Sequence, residues 1–248
     1  MRHVTDNLII SPDQHGFLEG RSTQTQLLEC LYDWTTAVDQ RFGVDAIYLD
    51  IKKAFDTVSH QKLLSVLTNY GIKGSVLRWI TDFLCNRSQR VKINDSFSGP
   101  AAVRSGVPQG SVLGPLLFLL YINDISLYVK HCSIKLFADD TKIYFAITRL
   151  SDHTVLEIDV ENVFLFLSQR QLSVAFVKSA VLHLGGSFNP CLPFVVGNFT
   201  IPPCNSIKDL GVTVNSSLNF AEHYSTIVAK ASRVSNLIFR VFSCRDPM

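Results

Sequence analysis

Three aspartates follow apolar, strand-like segments and have the chemistry of a reactive site. Asp50 lies at the end of the β-branched run 44–51, and Asp139 and Asp140 directly follow the apolar run 134–138. A carboxylate beside a buried strand is costly unless its charge is compensated. If the two strands are neighbours, the acids converge and repel one another unless divalent cations lie between them. The alternative is that each aspartate only forms a turn or caps a helix.

Carboxylate oxygens are hard ligands and favour Mg²⁺. Two such ions, about 3.5–4 Å apart, stabilise both the attacking and the leaving oxygen in phosphoryl transfer. The joint pattern of the three acids therefore predicts metal-assisted phosphoryl transfer. A single aspartate would not support that prediction.

The segments around these acids alternate between helical and strand-like patterns. Apolar residues recur at helical spacing in the segments 27–38, 60–70, 76–84, 156–167 and 222–242, with Ser59 and Ser75 as predicted N-caps. Short apolar or alternating runs predict strands at 44–51, 90–103, 134–138, 142–147 and 176–184. Because Asp139-Asp140-Thr141 reads as a tight hairpin connection, the pattern predicts an α+β fold with an antiparallel or mixed sheet and helices on one face.

Composition places the chain among globular proteins. It has 248 residues, of which 47% are apolar and 18% charged, with a formal net charge of +2. The longest apolar run, 112–122, is shorter than the roughly 20 residues that a bilayer span needs, so no membrane association is expected. No secretory signal or C-x-x-C pair is visible, which predicts an intracellular protein, nuclear or cytoplasmic, with reduced thiols.

Four ordered segments resemble the conserved motifs of reverse transcriptases. Residues 48–60 (YLDIKKAFDTVSH) look like the first palm motif, and residues 105–115 (SGVPQGSVLGP) are similar to the second. Residues 137–140 (FADD) resemble the Asp-Asp hairpin motif. Residues 14–17 (QHGF) together with 20–23 (GRST) look like the preceding fingers motif. Four motifs in this order are far more specific than the FADD segment alone.

Motif order and spacing resemble the non-LTR (LINE-like) retrotransposon type more than retroviral enzymes, and 207–212 (IKDLGV) and Lys230-Ala231 add to that likeness. The resemblance implies a right-hand polymerase palm, a ferredoxin-like antiparallel or mixed sheet backed by helices. Partial fingers would occupy 1–40, the palm with an inserted fingers or helical segment 41–185, and the palm edge with the start of an incomplete thumb 186–248.

The resemblance also implies an activity, that of an RNA-directed DNA polymerase. Its partners would be an RNA template, a DNA primer and deoxynucleoside triphosphates, without an obligate protein partner. Asp50, Asp139, Asp140 and the backbone carbonyl of Ile51 would hold two Mg²⁺ ions, with Mn²⁺ as a possible substitute and Asp140 as the weaker ligand. The primer 3′-hydroxyl would attack the α-phosphate of the incoming nucleotide.

Three residues are implied as nucleotide contacts. Phe55 would block a ribose 2′-hydroxyl, Gln109 would contact nucleotide or template, and Lys178 would lie near the triphosphate. The alternatives are a core aromatic at Phe55, a simple turn at Gln109 and a solvated lysine at position 178. Contacts to the nucleic-acid backbone are implied for a further set, comprising Arg21, Gly110, Lys230 and Arg233, although basic residues on a solvated helix face are a common alternative.

One feature departs from the resemblance. Family members carry an Arg-Pro-Ile-type motif upstream of the fingers segment, and its arginine grips the triphosphate; the residues before Gln14 do not contain it. The chain therefore reads as a piece truncated at both ends. The competing hypothesis is a catalytically inactive retrotransposon remnant that folds and at most binds nucleic acid.

Overall fold

The computed structural model describes Val4, Asn7 and the ranges 9–185 and 193–242. The predicted domain boundary between 185 and 186 falls where the described residues are interrupted. Cys191 and Cys244 lie outside the described residues. The three predicted domains stay a prediction.

The helices follow the predicted apolar stripes closely. They are α1 (Thr23–Asp39), α2 (His60–Asn69), α3 (Gly74–Leu84), α4 (Leu113–Ile122), α5 (Ser151–Gln169) and α6 (Ala221–Val241), with a 3₁₀ helix over Asn123–Tyr128. Ser59 is the N-cap of α2 as predicted, but its side chain makes no capping hydrogen bond. Ser75 is wrong as an N-cap, because α3 begins at Gly74 and Ser75 already lies in its first turn. No described helix is both long enough and apolar enough to cross a membrane.

A mixed sheet of five strands organises the molecule, in the order β11-β8-β1-β7-β6. The strands are β1 (Gly43–Leu49), β2 (Ser88–Gln89), β3 (Lys92–Ile93), β4 (Ser96–Phe97), β5 (Ala101–Ala102), β6 (Ser133–Phe137), β7 (Asp140–Ile147), β8 (Ala180–Leu184), β9 (Phe194–Val196), β10 (Phe199–Ile201), β11 (Pro203–Cys204), β12 (Ser206–Asp209) and β13 (Val212–Asn215). The contacts of β1 with β7 and β8 are antiparallel, whereas β8 and β11 are parallel. The α+β prediction is confirmed.

The sheet is covered on both faces rather than on one. On the first face, Ile47 and Leu49 of β1 belong to the large core that contains residues of α2, α4 and α5. On the other face, Val44 and Ala46 of β1 pack with Trp34 of α1. A strand that is apolar on both sides must be covered on both sides, which explains why β1 is almost continuously hydrophobic.

Three predicted strand boundaries shift, and all three lie next to the site. Strand β1 ends at Leu49, so Asp50 follows it, and β7 begins at Asp140, so the hairpin loop is Ala138-Asp139. The predicted strand 176–184 is shorter, because β8 begins at Ala180. The preceding residues form turns whose backbone bonds run to the chain around Asp50.

Candidate active site

The backbone of Asp50 is fixed by a neighbouring loop. The Asp50 carbonyl accepts a hydrogen bond from Ala175 N–H at 2.8 Å, and Asp50 N–H donates to Ser179 Oγ at 3.3 Å. Lys52 N–H donates to Ser173 O at 2.8 Å, so Ile51 lies between two anchored neighbours and its own carbonyl takes part in neither backbone bond. The carboxylate of Asp50 therefore projects from a rigid strand end.

The second and third acids come from the β6–β7 hairpin. Leu49 lies opposite Thr141 in the ladder, which brings Asp50 to the level of Asp140 at the end of β1. The turn is tight, with Ala138 at φ +56°, a conformation that non-glycine residues rarely adopt. The sheet therefore brings together the three predicted acids, which lie far apart in the sequence.

Electrostatics confirm that these carboxylates influence one another. Burial raises the pKa of Asp139, and the negative charge of Asp50 raises it further. Burial and the charges of Asp139, Asp209 and Asp50 together raise the pKa of Asp140 to about 6, against the opposing charge of Lys142. Mutual repulsion of this kind favours a bound cation or proton.

A buried glutamine supports the turn that carries Asp139. Gln14 Oε1 accepts hydrogen bonds from Gly16 N–H at 2.7 Å and from Ala138 N–H at 2.9 Å. His15 N–H donates to Leu136 O at 2.8 Å, so this segment lies along the edge of β6. A Cβ atom on Gly16 would lie 2.4 Å from Ala138 N, which explains why glycine is needed there. The motif at residues 14–17 (QHGF) was identified in the sequence, but its role in positioning the turn was not predicted.

A cavity of about 300 Å³ opens beside the acids. Asp50, Asp140 and Lys178 line it, and Lys178 Nζ lies 3.8 Å from Asp50 Oδ2. The side chain of Lys178 is 72% exposed, so it lies at the mouth of the site rather than in the core. The structure thus brings Lys178 close to Asp50, and its predicted position near the triphosphate stays a prediction.

A buried ion pair closes the far side of this cavity. Lys142 and Asp209 are both almost fully buried and form a close ion pair, and Tyr48 donates a hydrogen bond to Asp209 Oδ2 at 3.1 Å. The pair ties β12 to the centre of the sheet. Neither residue was predicted to have a role. The charged Asp209 among the apolar residues of the 207–212 segment was the feature of the sequence that could have indicated one.

Phe55 and Gln109 lie on the other side of Asp50, in the loops of the first and second palm motifs. The ring of Phe55 stacks on Phe118 with centroids 4.4 Å apart and meets Phe17 edge-on at 6.4 Å. Gln109 Nε2 donates to Asp56 Oδ1 at 2.8 Å. Phe55 is therefore half-buried and packs against a core residue, whereas Gln109 is exposed on the surface of its loop.

The residues predicted to contact the nucleic-acid backbone do not cluster around the three acids. Arg21 donates to Pro12 O at 2.6 Å and its guanidinium lies 3.1 Å from His15 Nε2. Gly110 has φ +78° in an exposed loop. Lys230 and Arg233 lie on α6, a helix without buried residues. No contact in the described structure links these residues to the three acids.

The donor set fits a hard divalent cation in its chemistry, because three carboxylates at one sheet edge repel one another. Within 9–185 and 193–242, however, no group of three or more His, Cys, Asp or Glu side chains has the spacing of a preformed metal site. The acids are near neighbours that a cation would draw closer.

Solved structures share this fold. Telomerase from Candida tropicalis, in complex with a TWJ fragment of telomeric RNA, superposes with a TM-score of 0.59 at 9% sequence identity, covering 87% of this chain and 35% of that one. Apo telomerase from the same organism gives a TM-score of 0.56 at 10% identity, covering 84% and 36%. At this identity the likeness shows the fold alone, which is that of a right-hand polymerase.

Sequence comparison gives the family. The chain belongs to the reverse transcriptase (RNA-dependent DNA polymerase) family, whose model matches residues 1–214. This confirms the resemblance, and enzymes of this family use divalent metals.

Relatives are proteins of non-LTR retrotransposons, again as predicted. The Drosophila melanogaster protein named "Probable RNA-directed DNA polymerase from transposon X-element" is 29% identical over 232 residues, covering 88% of this chain and 25% of its own length. "RNA-directed DNA polymerase from mobile element jockey" of Drosophila funebris is 24% identical over 222 residues, covering 86% and 24%. The chain spans about a quarter of the length of these relatives.

Proposed function

We propose that this chain is the polymerising core of a non-LTR retrotransposon reverse transcriptase. It would add deoxynucleotides to the 3′-hydroxyl of a DNA primer on an RNA template. The observation that supports the proposal most directly is the meeting of Asp50, Asp139 and Asp140 at one end of the β1–β7 ladder, because phosphoryl transfer relies on positioning and on neutralising charge.

Asp50 and Asp139 would be the principal ligands of two Mg²⁺ ions, with Asp140 as the weaker ligand and the Ile51 carbonyl completing one site. When bound, such ions neutralise the charge that develops on the transferring phosphoryl group. The protein would contribute rigid positioning of the ligands, because the loop around Ala175 fixes the backbone of Asp50 and Gln14 supports the turn that carries Asp139.

Other residues of the site would select and orient the nucleotide. Lys178, 3.8 Å from Asp50 at the mouth of the cavity, would pair with phosphate oxygens and give a proton to the pyrophosphate leaving group. Phe55, held by Phe118 and Phe17, would present its ring edge to the sugar. Gln109 would contact nucleotide or template, and Gly110 beside it would let a strand approach the backbone closely.

The decisive experiment is primer extension on an RNA template with Mg²⁺ and deoxynucleotides. We expect extension by the parent chain and none by Asp139→Asn, while both show the same cooperative thermal unfolding. Equal extension by the two proteins would contradict the assignment of Asp139. The absence of extension by a folded parent would favour the hypothesis of an inactive remnant.

A second experiment concerns sugar selection. Phe55→Ala removes the ring that would meet a 2′-hydroxyl, so we expect incorporation of ribonucleotides to rise at least tenfold relative to deoxynucleotides, or about 1.4 kcal/mol of discrimination. Phe17→Ala is the comparison variant, because it removes the edge-on neighbour but keeps the Phe55 ring and its stack on Phe118, so sugar discrimination should change much less than in Phe55→Ala. Unchanged selectivity in an active Phe55→Ala protein would exclude the sugar-selecting role.

A further inference from the structure

A buried ion pair forms one wall of the cavity at the three acids. The side chains of Lys142 and Asp209 are each 4% exposed, and both residues line the cavity together with Asp50 and Asp140. Two opposite charges are costly to bury, and replacing both by apolar residues is often neutral for stability. Stability alone therefore does not account for this pair, and its place beside the acids points to a role in the site.

The surroundings of Lys142 make Asp209 its partner of opposite charge. The ammonium group lies 3.5 Å from Gln26 Oε1 and 3.6 Å from Cys30 Sγ. The amide carries no charge, and burial raises the pKa of the Cys30 thiol to about 11, so the thiol is neutral at pH 7 as well. Within the ranges that the structure describes, Asp209 is the one carboxylate at ion-pair distance from Lys142.

The Asp209 carboxylate is itself held in place. Tyr48 of β1 donates a hydrogen bond to Asp209 Oδ2 at 3.1 Å, and Tyr48 lies directly opposite Lys142 in the ladder of β1 and β7. Asp209 is the last residue of β12 and pairs with Val212 of β13. The carboxylate therefore meets the ammonium group from a fixed direction.

Asp140 is the alternative partner of Lys142. The two residues are two positions apart on β7, so their side chains point to the same face of the sheet and their Cα atoms are about 7 Å apart. The flexible four-carbon stem of a lysine can cover that separation. The charge of Lys142 already acts on the Asp140 carboxyl group. An ammonium group that paired with Asp140 would occupy oxygens that a divalent cation needs and would repel that cation.

We propose that Asp209 is a positioning residue of the metal site, which acts by holding the ammonium group of Lys142 away from Asp140. The Asp140 carboxylate then stays open to a divalent cation. The inference rests on the proposed function in one respect, namely that Asp140 is a metal ligand. Neither member of the ion pair touches the substrate or the metal in this role.

Two single variants break the same ion pair and separate positioning from a purely structural role. Asp209→Asn leaves the ammonium group without its carboxylate, so Lys142 should turn to Asp140. Lys142→Met removes the ammonium group altogether. We expect Asp209→Asn to weaken Mn²⁺ binding about tenfold, the lower end of the range for a lost outer-shell partner. Lys142→Met should bind Mn²⁺ at least as tightly as the parent.

Mn²⁺ binding can be measured on the full chain without primer, template or nucleotide, from the electron paramagnetic resonance signal of the free ion. Asp140→Asn is the control that shows how much of the binding depends on this acid. Thermal unfolding followed by circular dichroism shows whether each variant is folded at the temperature of the measurement.

The double variant Lys142→Met/Asp209→Asn is the rescue experiment. It carries the same substitution at position 209 but has no ammonium group that could reach Asp140. We expect its Mn²⁺ affinity to return to within twofold of the parent. Equal losses in the two single variants, a double variant as weak as Asp209→Asn, or unchanged binding in Asp209→Asn would each overturn the proposal.

A milder variant covers the case in which Asp209→Asn does not fold. Tyr48→Phe removes only the hydrogen bond to Asp209, so it should weaken Mn²⁺ binding in the same direction but less, by about threefold. An unchanged affinity in folded Tyr48→Phe would then overturn the proposal.

The binding measurements also keep this proposal distinct from the proposed function. A parent chain that binds Mn²⁺ through Asp140 and responds to Asp209→Asn as expected, but extends no primer, would contradict the polymerase activity and support the positioning role. If Asp140→Asn binds Mn²⁺ like the parent, Asp140 is not a ligand, and the positioning role of Asp209 is wrong together with that assignment.

Discussion

Asp45 and Asp50 lie near opposite ends of the same strand region, and their surroundings separate their roles. The side chain of Asp45 is 1% exposed, and its carboxylate lies 2.6 Å from His183 Nδ1 and 3.1 Å from His153 Nδ1. The side chain of Asp50 is 39% exposed, and its carboxylate lies 3.8 Å from Lys178 Nζ. One acid is enclosed by imidazoles, whereas the other opens to a cavity and faces two more carboxylates.

The difference between the two aspartates shows which surroundings make a carboxylate stabilising and which leave it available for chemistry. A buried carboxylate with close hydrogen-bonding partners helps to hold strands and helices together, and it is costly to remove. A half-exposed carboxylate beside other carboxylates stabilises little, but its oxygens are available to a ligand. The imidazole-contacted carboxylate within β1 therefore serves the fold, and the carboxylate that follows the strand is the one open to a ligand.

The largest effect should come from Asp50→Asn. We expect primer extension to fall at least a thousandfold, because a metal site contributes several kcal/mol to transition-state stabilisation and each 1.36 kcal/mol is a factor of ten. The free energy of unfolding in urea should stay the same or rise, since repulsion from Asp139 and Asp140 is relieved. If the Asp50→Asn protein were fully active, Asp50 would not be a residue of the active site, and its contrast with Asp45 would not reflect function.

Asp45→Ala should show the opposite pattern. Loss of a buried carboxylate that contacts the imidazoles of His183 and His153 should lower the free energy of unfolding by about 3 kcal/mol. Extension per folded molecule should remain within twofold of the parent when measured below the unfolding transition. The comparison fails if Asp45→Ala abolishes extension while the urea midpoint is unchanged.

Gln14→Leu should give a smaller but more specific effect. The leucine cannot accept the hydrogen bond from Ala138 N–H, so the turn that carries Asp139 loses its support. We expect extension to fall about tenfold at limiting Mg²⁺ and to recover partly at high Mg²⁺, because a looser ligand weakens metal binding.

Leu63→Ala is the control for the glutamine variant, since Leu63 is a fully buried residue of α2 in the large core. It should lose about 2–5 kcal/mol of stability without any change in the Mg²⁺ dependence of extension. If both variants lower extension equally at every Mg²⁺ concentration, Gln14 is a structural residue without a positioning role.

Much of the site could be predicted from the sequence, because its signals are local. Asp50 ends an apolar run and Asp139-Asp140 sits between two such runs, so the position of each acid at a strand end follows from the periodicity around it. The helices are predicted for the same reason, since an apolar stripe at helical spacing reports one buried face. The order of four motifs then identified the family.

Only the tertiary structure decided which charged residues support the site. Asp45 and Asp50 look alike in sequence, and the two histidines that separate them come from β8 and α5. Gln14 meets Ala138 across 124 positions, and Lys142 of β7 meets Asp209 of β12 across 67 positions. Hydrogen bonds and ion pairs between distant segments leave no periodic trace in the chain, so the sequence determined the acids of the site while the packing of the sheet determined their partners.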